Sequence, residues 1–213
     1  YSIKTPMQRN PLFNGASEFK IDSYLNYLIG LDYKIQKEKN NINQIYILKS
    51  KKFLLFFDAG SPPRKKNSGS YQSGPLSFEY FIDNHKIITN CGFGKKISKK
   101  AELISKLTSA QSTLCLNDSS VAKFERSSLV NKSFGSSIIS SFKVFDFHTN
   151  EDINSTSISA IHDAYKNNFG YLHERQVKIN KKNGSLSGVD NLISDKNKYG
   201  LKNTYSIRFH LYP

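Results

Sequence analysis

The sequence contains few of the residues that mark several common protein classes. Only two of its 213 residues are cysteine, and they lack the CxxC or Cys/His spacing of a zinc site. The most apolar run, residues 53–57, is far too short to span a membrane. Polar and basic residues interrupt any apolar segment near the start, so no signal peptide is recognisable. We therefore expect neither a disulfide framework nor a membrane span.

The two cysteines leave two alternatives open. Cys91 and Cys115 both fall in predicted strands, and a single disulfide can form if those strands are neighbours. Two buried thiols, packed as small apolar groups, are favoured because free cysteine is among the most buried side chains.

Acidic residues are scarce relative to basic ones, and arginine is scarce among the latter. The formal net charge is +14, which favours a polyanionic partner. However, 26 of the 31 basic residues are lysine, and a dedicated reader of phosphates or carboxylates would be expected to use arginine. A solvated lysine-rich surface is therefore favoured. Nucleic acid is not expected as a partner, since the basic runs lie in loops without a docking helix or aromatic platform.

The hydrophobic pattern is mainly that of β-strands. Apolar residues at helical spacing predict one short N-terminal helix at residues 21–29, and the period then changes to two. Strands are predicted at residues 44–49, 52–58, 76–82, 86–89, 112–116, 120–126, 142–147, 157–165, 171–179 and 205–212, with a weaker helical turn near 101–107. Residues 60–74 are rich in Gly, Pro and Ser and predict a long exposed loop, and Asn183-Gly184 predicts a hairpin. The fold class predicted is mainly β, an antiparallel β-sandwich.

A series of short motifs resembles heparinase II/III-like polysaccharide lyases of the bacterial type. In order along the chain they are Phe13-Asn14-Gly15, Asp58-Ala59-Gly60-Ser61-Pro62-Pro63, Leu76-Ser77-Phe78-Glu79, Asn90-Cys91-Gly92, Ala110-Gln111-Ser112-Thr113-Leu114 and Arg208-Phe209-His210-Leu211. The resemblance implies a larger protein, in which an α/α toroid domain precedes this region. On that basis residues 1–35 are expected to be a helical tail or linker, and residues 36–213 a β-sandwich domain truncated at its C-terminus.

The resemblance also implies a chemistry. Such lyases cleave uronic-acid-containing polysaccharides by β-elimination, which needs a base, a group that neutralises the uronate carboxylate, and an acid for the leaving oxygen. In the family these groups, commonly Asn, His and Tyr, come largely from the helical domain. This chain alone is therefore expected to be inactive, and no GxSxG, P-loop or GxGxxG motif indicates another activity.

Related lyases often hold a metal ion in the β-domain with two His and one Asp. The matching positions here are Gln72, Asn90 and Gln111. Neutral amides are poor zinc ligands, so we expect no zinc and no other cofactor. The three amides are expected to hydrogen-bond one another or backbone groups, or, as the less favoured alternative, to bind substrate.

Other site candidates carry weaker signals. Tyr71 could donate to a sugar oxygen or act as an acid, and Lys106, where relatives tend to have arginine, could pair with a uronate carboxylate. His173 and Arg175 share one face of a predicted strand, beside the strand that carries His162 and Tyr165, and this polar face is either a saccharide groove or a solvated surface.

Two functions are therefore expected. The favoured one is the β-domain of a heparinase II/III-like lyase that acts on an acidic polysaccharide, located in the cell envelope or periplasm. The alternative is a carbohydrate-binding or envelope-assembly module that has kept the fold and lost the chemistry, which the three amides motivate.

Overall fold

A computed structural model of the protein describes residues 11–16, 30–31, 41–42, 44–125, 136–194 and 203–213. Along this part of the chain the strands are β1 (Asn41–Ile42), β2 (Ile45–Lys49), β3 (Phe53–Asp58), β4 (Phe78–Ile82), β5 (His85–Thr89), β6 (Leu114–Leu116), β7 (Val144–Glu151), β8 (Ser155–His162), β9 (Tyr171–Asn180), β10 (Leu186–Ser194), β11 (Tyr205–Ile207) and β12 (His210–Leu211).

The strands form two antiparallel sheets and a short ribbon. The first sheet has the order β1-β2-β3-β4-β5-β12, the second has the order β10-β9-β8-β7, and β11 pairs with β6. These pairings confirm the prediction of a mainly β, antiparallel β-sandwich. The helix predicted at residues 21–29 lies outside the described residues, and the division into residues 1–35 and 36–213 stays a prediction.

Helical structure is limited to short connections in the described part of the chain. The α-helices are α1 (Lys99–Ser105) and α2 (Lys166–Phe169), and 3-10 turns occupy Lys65–Asn67, Gly94–Lys96 and Thr108–Ala110. Helix α1 begins at Ser98, whose side chain accepts a hydrogen bond from the Ala101 backbone N–H at 3.0 Å and satisfies an otherwise unpaired donor. Within the described residues, no helix is long and apolar enough to cross a membrane.

The main core lies between the two sheets. Side chains from β3 and β4 meet side chains from β8 and β9, and these are Phe53, Leu55, Phe57, Phe78, Tyr80, Ile158, Ala160, Val177 and Ile179. Burying one such Phe, Leu or Ile side chain stabilises a fold by about 1.5–3 kcal/mol. Alternate residues of the four central strands β3, β4, β8 and β9 therefore face the interior of the sandwich and form its core.

Strand β3 is buried on both faces, as its continuous apolar sequence predicts. Leu54 and Phe56 point away from the main core and pack with Phe13 and Phe81 in a second cluster on the outer face of the first sheet. Next to Phe81 on β4, the buried carboxylate of Glu79 is paired with the Lys86 ammonium at 3.0 Å.

Tight turns position the hairpins. Asp83 and Asn84 connect β4 to β5 with φ of 46° and 68°, the two positive angles that a type I′ hairpin needs. The predicted hairpin at residues 183–184 is present, since β9 and β10 pair across it. It is not the predicted two-residue turn, because five residues connect the strands and of the two only Gly184 has a positive φ, 70°.

Most predicted strands are present, but four predictions need correction. Residues 121–125 form only an isolated bridge, between Phe124 and Ile138, rather than a strand. Strand β8 ends at His162, so Tyr165 lies in the turn before α2. The predicted strand 205–212 is divided between β11, which pairs with β6, and β12, which pairs with β5. Strand β10 was missed.

The remaining corrections concern exposure and thiols. Residues 60–74 are not an exposed loop throughout, because Ser68 and Ser73 are fully buried. Both cysteines are free, Cys115 is buried within β6, and Cys91 follows β5 as an exposed residue. The expectation of two buried thiols is therefore wrong for Cys91.

Candidate functional site

Three buried amides lie where the long loops of the first sheet converge. Gln72 lies in the connection from β3 to β4, Asn90 directly follows β5, and Gln111 precedes β6. Their relative exposures are 2%, 1% and 2%, so almost no solvent reaches them. Buried amides need hydrogen-bond partners, and these partners determine what the cluster can do.

Gln72 joins three segments of backbone. Its Nε2 donates to the carbonyl of Gly92 at 2.7 Å and to that of Ser105 at 2.9 Å. Its Oε1 accepts from the Gly15 N–H at 3.1 Å, and its own N–H donates to the Asn14 side chain at 3.2 Å. Both amide hydrogens and one amide oxygen lone pair are thus used by the fold.

Gln111 and Asn90 make similar contacts. Gln111 Nε2 donates at 2.9 Å to the Ser105 carbonyl that Gln72 also uses. Asn90 Oδ1 accepts from the Ser112 N–H at 2.9 Å, and its Nδ2 lies 3.5 Å from the Ser77 hydroxyl. The amides therefore hold loops through backbone groups, and Gln72 and Gln111 are linked only through their shared acceptor.

A glycine makes room for this cluster. A Cβ atom added at Gly74 would lie 2.8 Å from Cγ and 3.0 Å from Cβ of Gln111, which is closer than such atoms approach in real proteins. The absence of a side chain at Gly74 therefore allows the amide to pack against the loop.

The segment that these amides hold is basic on its surface. Gln72 binds the carbonyls of Gly92 and Ser105, which lie at the two ends of the segment containing the 3-10 turn Gly94–Lys96 and α1. The exposed side chains on this segment include Lys95, Lys96, Lys99 and Lys100. Buried neutral amides thus support a cationic surface segment.

Lys106, at the end of α1, is buried rather than part of that surface. It is 1% exposed, its Nζ donates to the Ser136 carbonyl at 2.7 Å, and it lies 4.6 Å from the centre of the Phe124 ring. Burial lowers the pKa of Lys106 to about 8. Its ammonium is already bound within the fold.

Tyr71 directly precedes Gln72, but its electrostatic partner is the carboxyl group of Asp58. Tyr71 is 4% exposed, and burial, followed by the nearby Asp58 carboxyl, raises its pKa well above its ordinary value. Burial raises the pKa of Asp58 to about 7, although hydrogen bonds from the Gly60 N–H and the Asn14 side chain act in the opposite direction. Both residues line a cavity of about 290 Å³. The sequence analysis named Asp58 only as the first residue of the motif at residues 58–63 and did not identify it as a site residue.

The predicted polar face of β9 is fully buried and forms a continuous hydrogen-bonded chain. His162 Nε2 and His173 Nδ1 are 3.0 Å apart, and His173 Nε2 lies 2.6 Å from Asp190 Oδ1. The Ala164 N–H donates to His162 Nδ1 at 3.2 Å, so the proton of His162 is on Nε2 and each ring donates to the next acceptor.

Arg175 completes this chain and connects the sheets. Its guanidinium binds both Asp190 carboxylate oxygens, at 2.7 and 3.0 Å. It also donates to the carbonyls of Leu76 and Ser112, at 3.1 and 2.8 Å. Burial raises the pKa of Asp190, but the hydrogen bonds from His173 and Arg175 outweigh it and lower the pKa to about 2. Sequence reasoning placed His173 and Arg175 together but missed Asp190, which is carried by the unpredicted strand β10.

The amide cluster and the sandwich around it match one protein family. A sequence profile of the family described as "Heparinase II/III-like, C-terminal" matches residues 42–213. The chain belongs to this family. No match was found among curated proteins.

Solved structures share the fold of this heparinase II/III-like domain. A mutant of heparan sulfate lyase HepC from Pedobacter heparinus is 17% identical, with a TM-score of 0.63 over 90% of this chain and 31% of that chain. The heparinase III-BT4657 gene product is 13% identical, with a TM-score of 0.63 and coverages of 90% and 31%. A structure of heparinase III is 12% identical, with a TM-score of 0.61 and coverages of 95% and 32%. The chain thus spans about a third of these proteins, and the likeness shows the fold alone.

Among the residues that the structure describes, no group of three or more His, Cys, Asp or Glu side chains is arranged to hold a metal ion. The amides of Gln72, Asn90 and Gln111 in this heparinase II/III-like domain are hydrogen-bonded to backbone groups.

Proposed function

We propose that this heparinase II/III-like domain is part of a lyase that cleaves uronic-acid-containing polysaccharide by β-elimination. The observation that carries the proposal is the family match over residues 42–213, which covers both sheets and the loops around the amide cluster. The α/α toroid domain expected before this region supplies the base and the carboxylate-neutralising group. The β-domain supplies binding surface and supports the loops.

The basic segment around α1 supports an acidic substrate. Exposed lysines attract polyanions over about a Debye length, and a strand of uronates presents one carboxylate per acidic sugar. The amide cluster fixes the two ends of this segment, so the lysines are presented on a supported surface rather than on a free loop.

Binding of an acidic polysaccharide tests the role of the exposed lysines around α1. The chain should bind heparan sulfate, and the charge reversals Lys96→Glu and Lys99→Glu together should weaken binding about tenfold at moderate salt. The matched control reverses two exposed lysines elsewhere, Lys51→Glu and Lys182→Glu, and should weaken binding much less. Equal losses in the two pairs would show that only the total charge matters.

The reaction itself has a direct readout. β-Elimination leaves a conjugated unsaturated uronate, so a longer protein that contains this chain should increase ultraviolet absorbance with at least one uronate polymer, whereas the chain alone should not. No increase with any such polymer, from a correctly folded longer protein, would contradict the lyase proposal.

One observation favours a second candidate function, a carbohydrate-binding or envelope-assembly module without catalysis. Gln72, Asn90 and Gln111, which the resemblance aligns with metal ligands of related lyases, use their amides to hold backbone segments. Binding of an acidic glycan by the longer protein, with no increase in absorbance, would support this function over the first.

We also propose that the domain works without zinc. The amides are poor zinc ligands, and a metal would have to bind Gln72 through Oε1, which already accepts a hydrogen bond from the Gly15 N–H at 3.1 Å. Tight stoichiometric zinc binding in equilibrium dialysis would contradict this. The cell envelope or periplasm is the proposed location, and cell fractionation tests it.

A further inference from the structure

Helix α1 has an inverted distribution of polar and apolar residues. The side chains that it buries are polar, with Ser105 at 6% exposure and Lys106, the residue that follows it, at 1%. Its apolar residues face outward, since Leu103 is 52% and Ile104 is 51% exposed. A surface helix normally buries its apolar side, so the outer side of α1 has the character of an interface.

Apolar residues are also exposed on both sides of the helix, and lysines lie among them. Ile97, before α1, is 82% exposed, and Leu107, after it, is 40% exposed. The exposed lysines of the same segment are Lys95, Lys96, Lys99 and Lys100. The exposed part of residues 95–107 therefore combines four large aliphatic side chains with four lysines, and we call it the α1 surface.

The turn before α1 and the helix itself are held together as one unit. Gly94 packs directly on the helix, since a Cβ atom added there would lie 2.5 Å from the carbonyl carbon of Ala101. The Gly94 N–H also donates to the Ser105 hydroxyl at 3.0 Å, which joins the 3-10 turn to the end of the helix. Binding to the α1 surface therefore requires little ordering of its backbone, and the entropic cost of binding is low.

The residue types of the α1 surface favour a lipid membrane over a protein or a polysaccharide. Protein interfaces are enriched in aromatic residues, Met and Arg and depleted in Lys, whereas residues 95–107 contain no aromatic residue, Met or Arg. An acidic polysaccharide pairs with lysines through its anionic groups and does not need exposed Ile and Leu side chains. At an anionic membrane, aliphatic side chains enter the boundary of the acyl chains while lysine ammonium groups bind the headgroups.

We propose that the α1 surface binds the headgroup region of an anionic phospholipid membrane. Four exposed lysines face one acidic residue in the segment, Glu102, so the charge of this surface complements that of anionic lipids. Leu103 and Ile104 insert into the interface, and the lysines contact the phosphates around them. This binding goes beyond the proposed lyase function and does not depend on it.

Cosedimentation with lipid vesicles tests the proposal. The chain should bind vesicles made of equal parts phosphatidylcholine and phosphatidylglycerol. It should bind pure phosphatidylcholine vesicles at least about tenfold more weakly, because each lysine near an anionic surface increases the affinity about fivefold. The variant that combines Leu103→Gln and Ile104→Gln should bind the mixed vesicles at least about tenfold more weakly than the wild type. Gln is a good helix former and both positions are half-exposed, so an unchanged urea midpoint is expected.

The matched control replaces two exposed isoleucines elsewhere in the chain. It combines Ile139→Gln and Ile153→Gln, at positions that are 63% and 88% exposed, and it should bind the mixed vesicles like the wild type. Equal losses in the two double variants would overturn the proposal, because general surface hydrophobicity would then explain the binding. Equal binding of the wild type to the two kinds of vesicle would also overturn it.

Two other results would assign the α1 surface to a different occupant. Dimerisation that the Leu103→Gln and Ile104→Gln variant abolishes, measured by analytical ultracentrifugation, would assign the surface to a second copy of the chain. Vesicle binding by this chain that is lost in a longer protein containing it would assign the surface to another part of that protein. Either result would overturn membrane binding.

Heparan sulfate binding separates this proposal from the proposed function. The Leu103→Gln and Ile104→Gln variant keeps the exposed lysines, so it should bind heparan sulfate like the wild type while it loses vesicle binding. Vesicle binding without heparan sulfate binding would support the membrane surface and count against the acidic polymer. Equal losses of vesicle and heparan sulfate binding in this variant would overturn the assignment of Leu103 and Ile104 to lipid.

Discussion

The buried carboxylate of Asp190 gives a prediction with a calculable size. Asp190→Asn keeps the shape of the side chain but removes the charge that binds Arg175 Nε at 2.7 Å and Nη2 at 3.0 Å. Arg175 is 1% exposed, so its guanidinium would stay buried without a counter-charge. Removing one partner of a buried ion pair costs about 3–5 kcal/mol.

The retained side-chain amide offsets part of that loss. An Asn carbonyl can still accept one hydrogen bond from His173 or Arg175, and a hydrogen bond to a charged group contributes about 1.5–3 kcal/mol. We therefore expect Asp190→Asn to lower the free energy of unfolding by about 2 kcal/mol. For a chain of this size that corresponds to a fall in Tm of about 4–8 °C.

A second His–Asp pair in the same sheet provides the control. His148 and Asp146 on β7 lie 2.8 Å apart, but their side chains are 71% and 54% exposed. Asp146→Asn makes the same chemical change at the surface and should cost less than about 1 kcal/mol. Urea unfolding, followed by circular dichroism, measures the change in the free energy of unfolding for both variants. A loss for Asp190→Asn no larger than that for Asp146→Asn would refute the view that burial makes the difference.

Three further predictions concern the same regions. Burial lowers the pKa values of His162 and His173, so their contribution to stability should be fully present above about pH 6.5 and lost below it, while the raised pKa values of Asp58 and Glu79 act in the opposite direction. The difference in urea midpoint between the wild type and a His162→Phe variant should therefore shift in favour of the variant below about pH 6.5, and a pH-independent difference would contradict this. Gly74→Ala should lower the free energy of unfolding by about 1–3 kcal/mol, because its methyl group would lie 2.8 Å from Cγ of the buried Gln111; urea unfolding measures this, and no loss would contradict the contact. Tyr165→Phe removes a hydroxyl that donates to a β6 carbonyl at 2.9 Å and accepts from a β6 N–H at 3.3 Å. The free energy of unfolding should therefore fall by about 1 kcal/mol or more, and a smaller change would argue against these bonds.

Strands were predicted best where the hydrophobic pattern and the turn residues indicate the same strand. The continuous apolar run at residues 53–57 predicts a strand buried on both faces, and the alternation along residues 171–180 predicts a strand with one buried face, as both are observed. Strand β10 was not predictable in the same way. Gly188, Asp190 and Asn191 are poor strand formers, and this edge strand is held by its pairing with β9.

The last strand shows a different limit of pattern reasoning. Its alternation is real, but the apolar side faces out: Ile207 and Phe209 are 40% and 49% exposed, while Arg208 and His210 are more buried. Periodicity states which residues share a face and not which face is buried. Neighbouring elements decide that.

The sequence indicated which residues form the site better than it indicated their hydrogen-bond partners. The resemblance placed Gln72, Asn90 and Gln111, and the expectation of backbone hydrogen bonds agrees with the observed contacts. The partners themselves, such as the Ser105 carbonyl shared by two amides, depend on loop geometry far from each amide in sequence. Asp58 was missed because a strand-terminal Asp is common, and only the fold reveals that it is buried.

The burial of β3 on both faces has a consequence for how strand pairing is chosen. In most sheets a slip of one residue would expose the apolar side, but here either side of residues 53–57 is apolar, so a slipped pairing would still bury hydrophobic groups. One polar residue of β3 distinguishes the alignments. The buried carboxyl group of Asp58 is hydrogen-bonded to the Asn14 side chain, and a slip of β3 by one residue would move it away from that partner. Asp58 therefore helps to fix the register of the sheet, and an apolar substitution at this position should make alternative alignments more competitive.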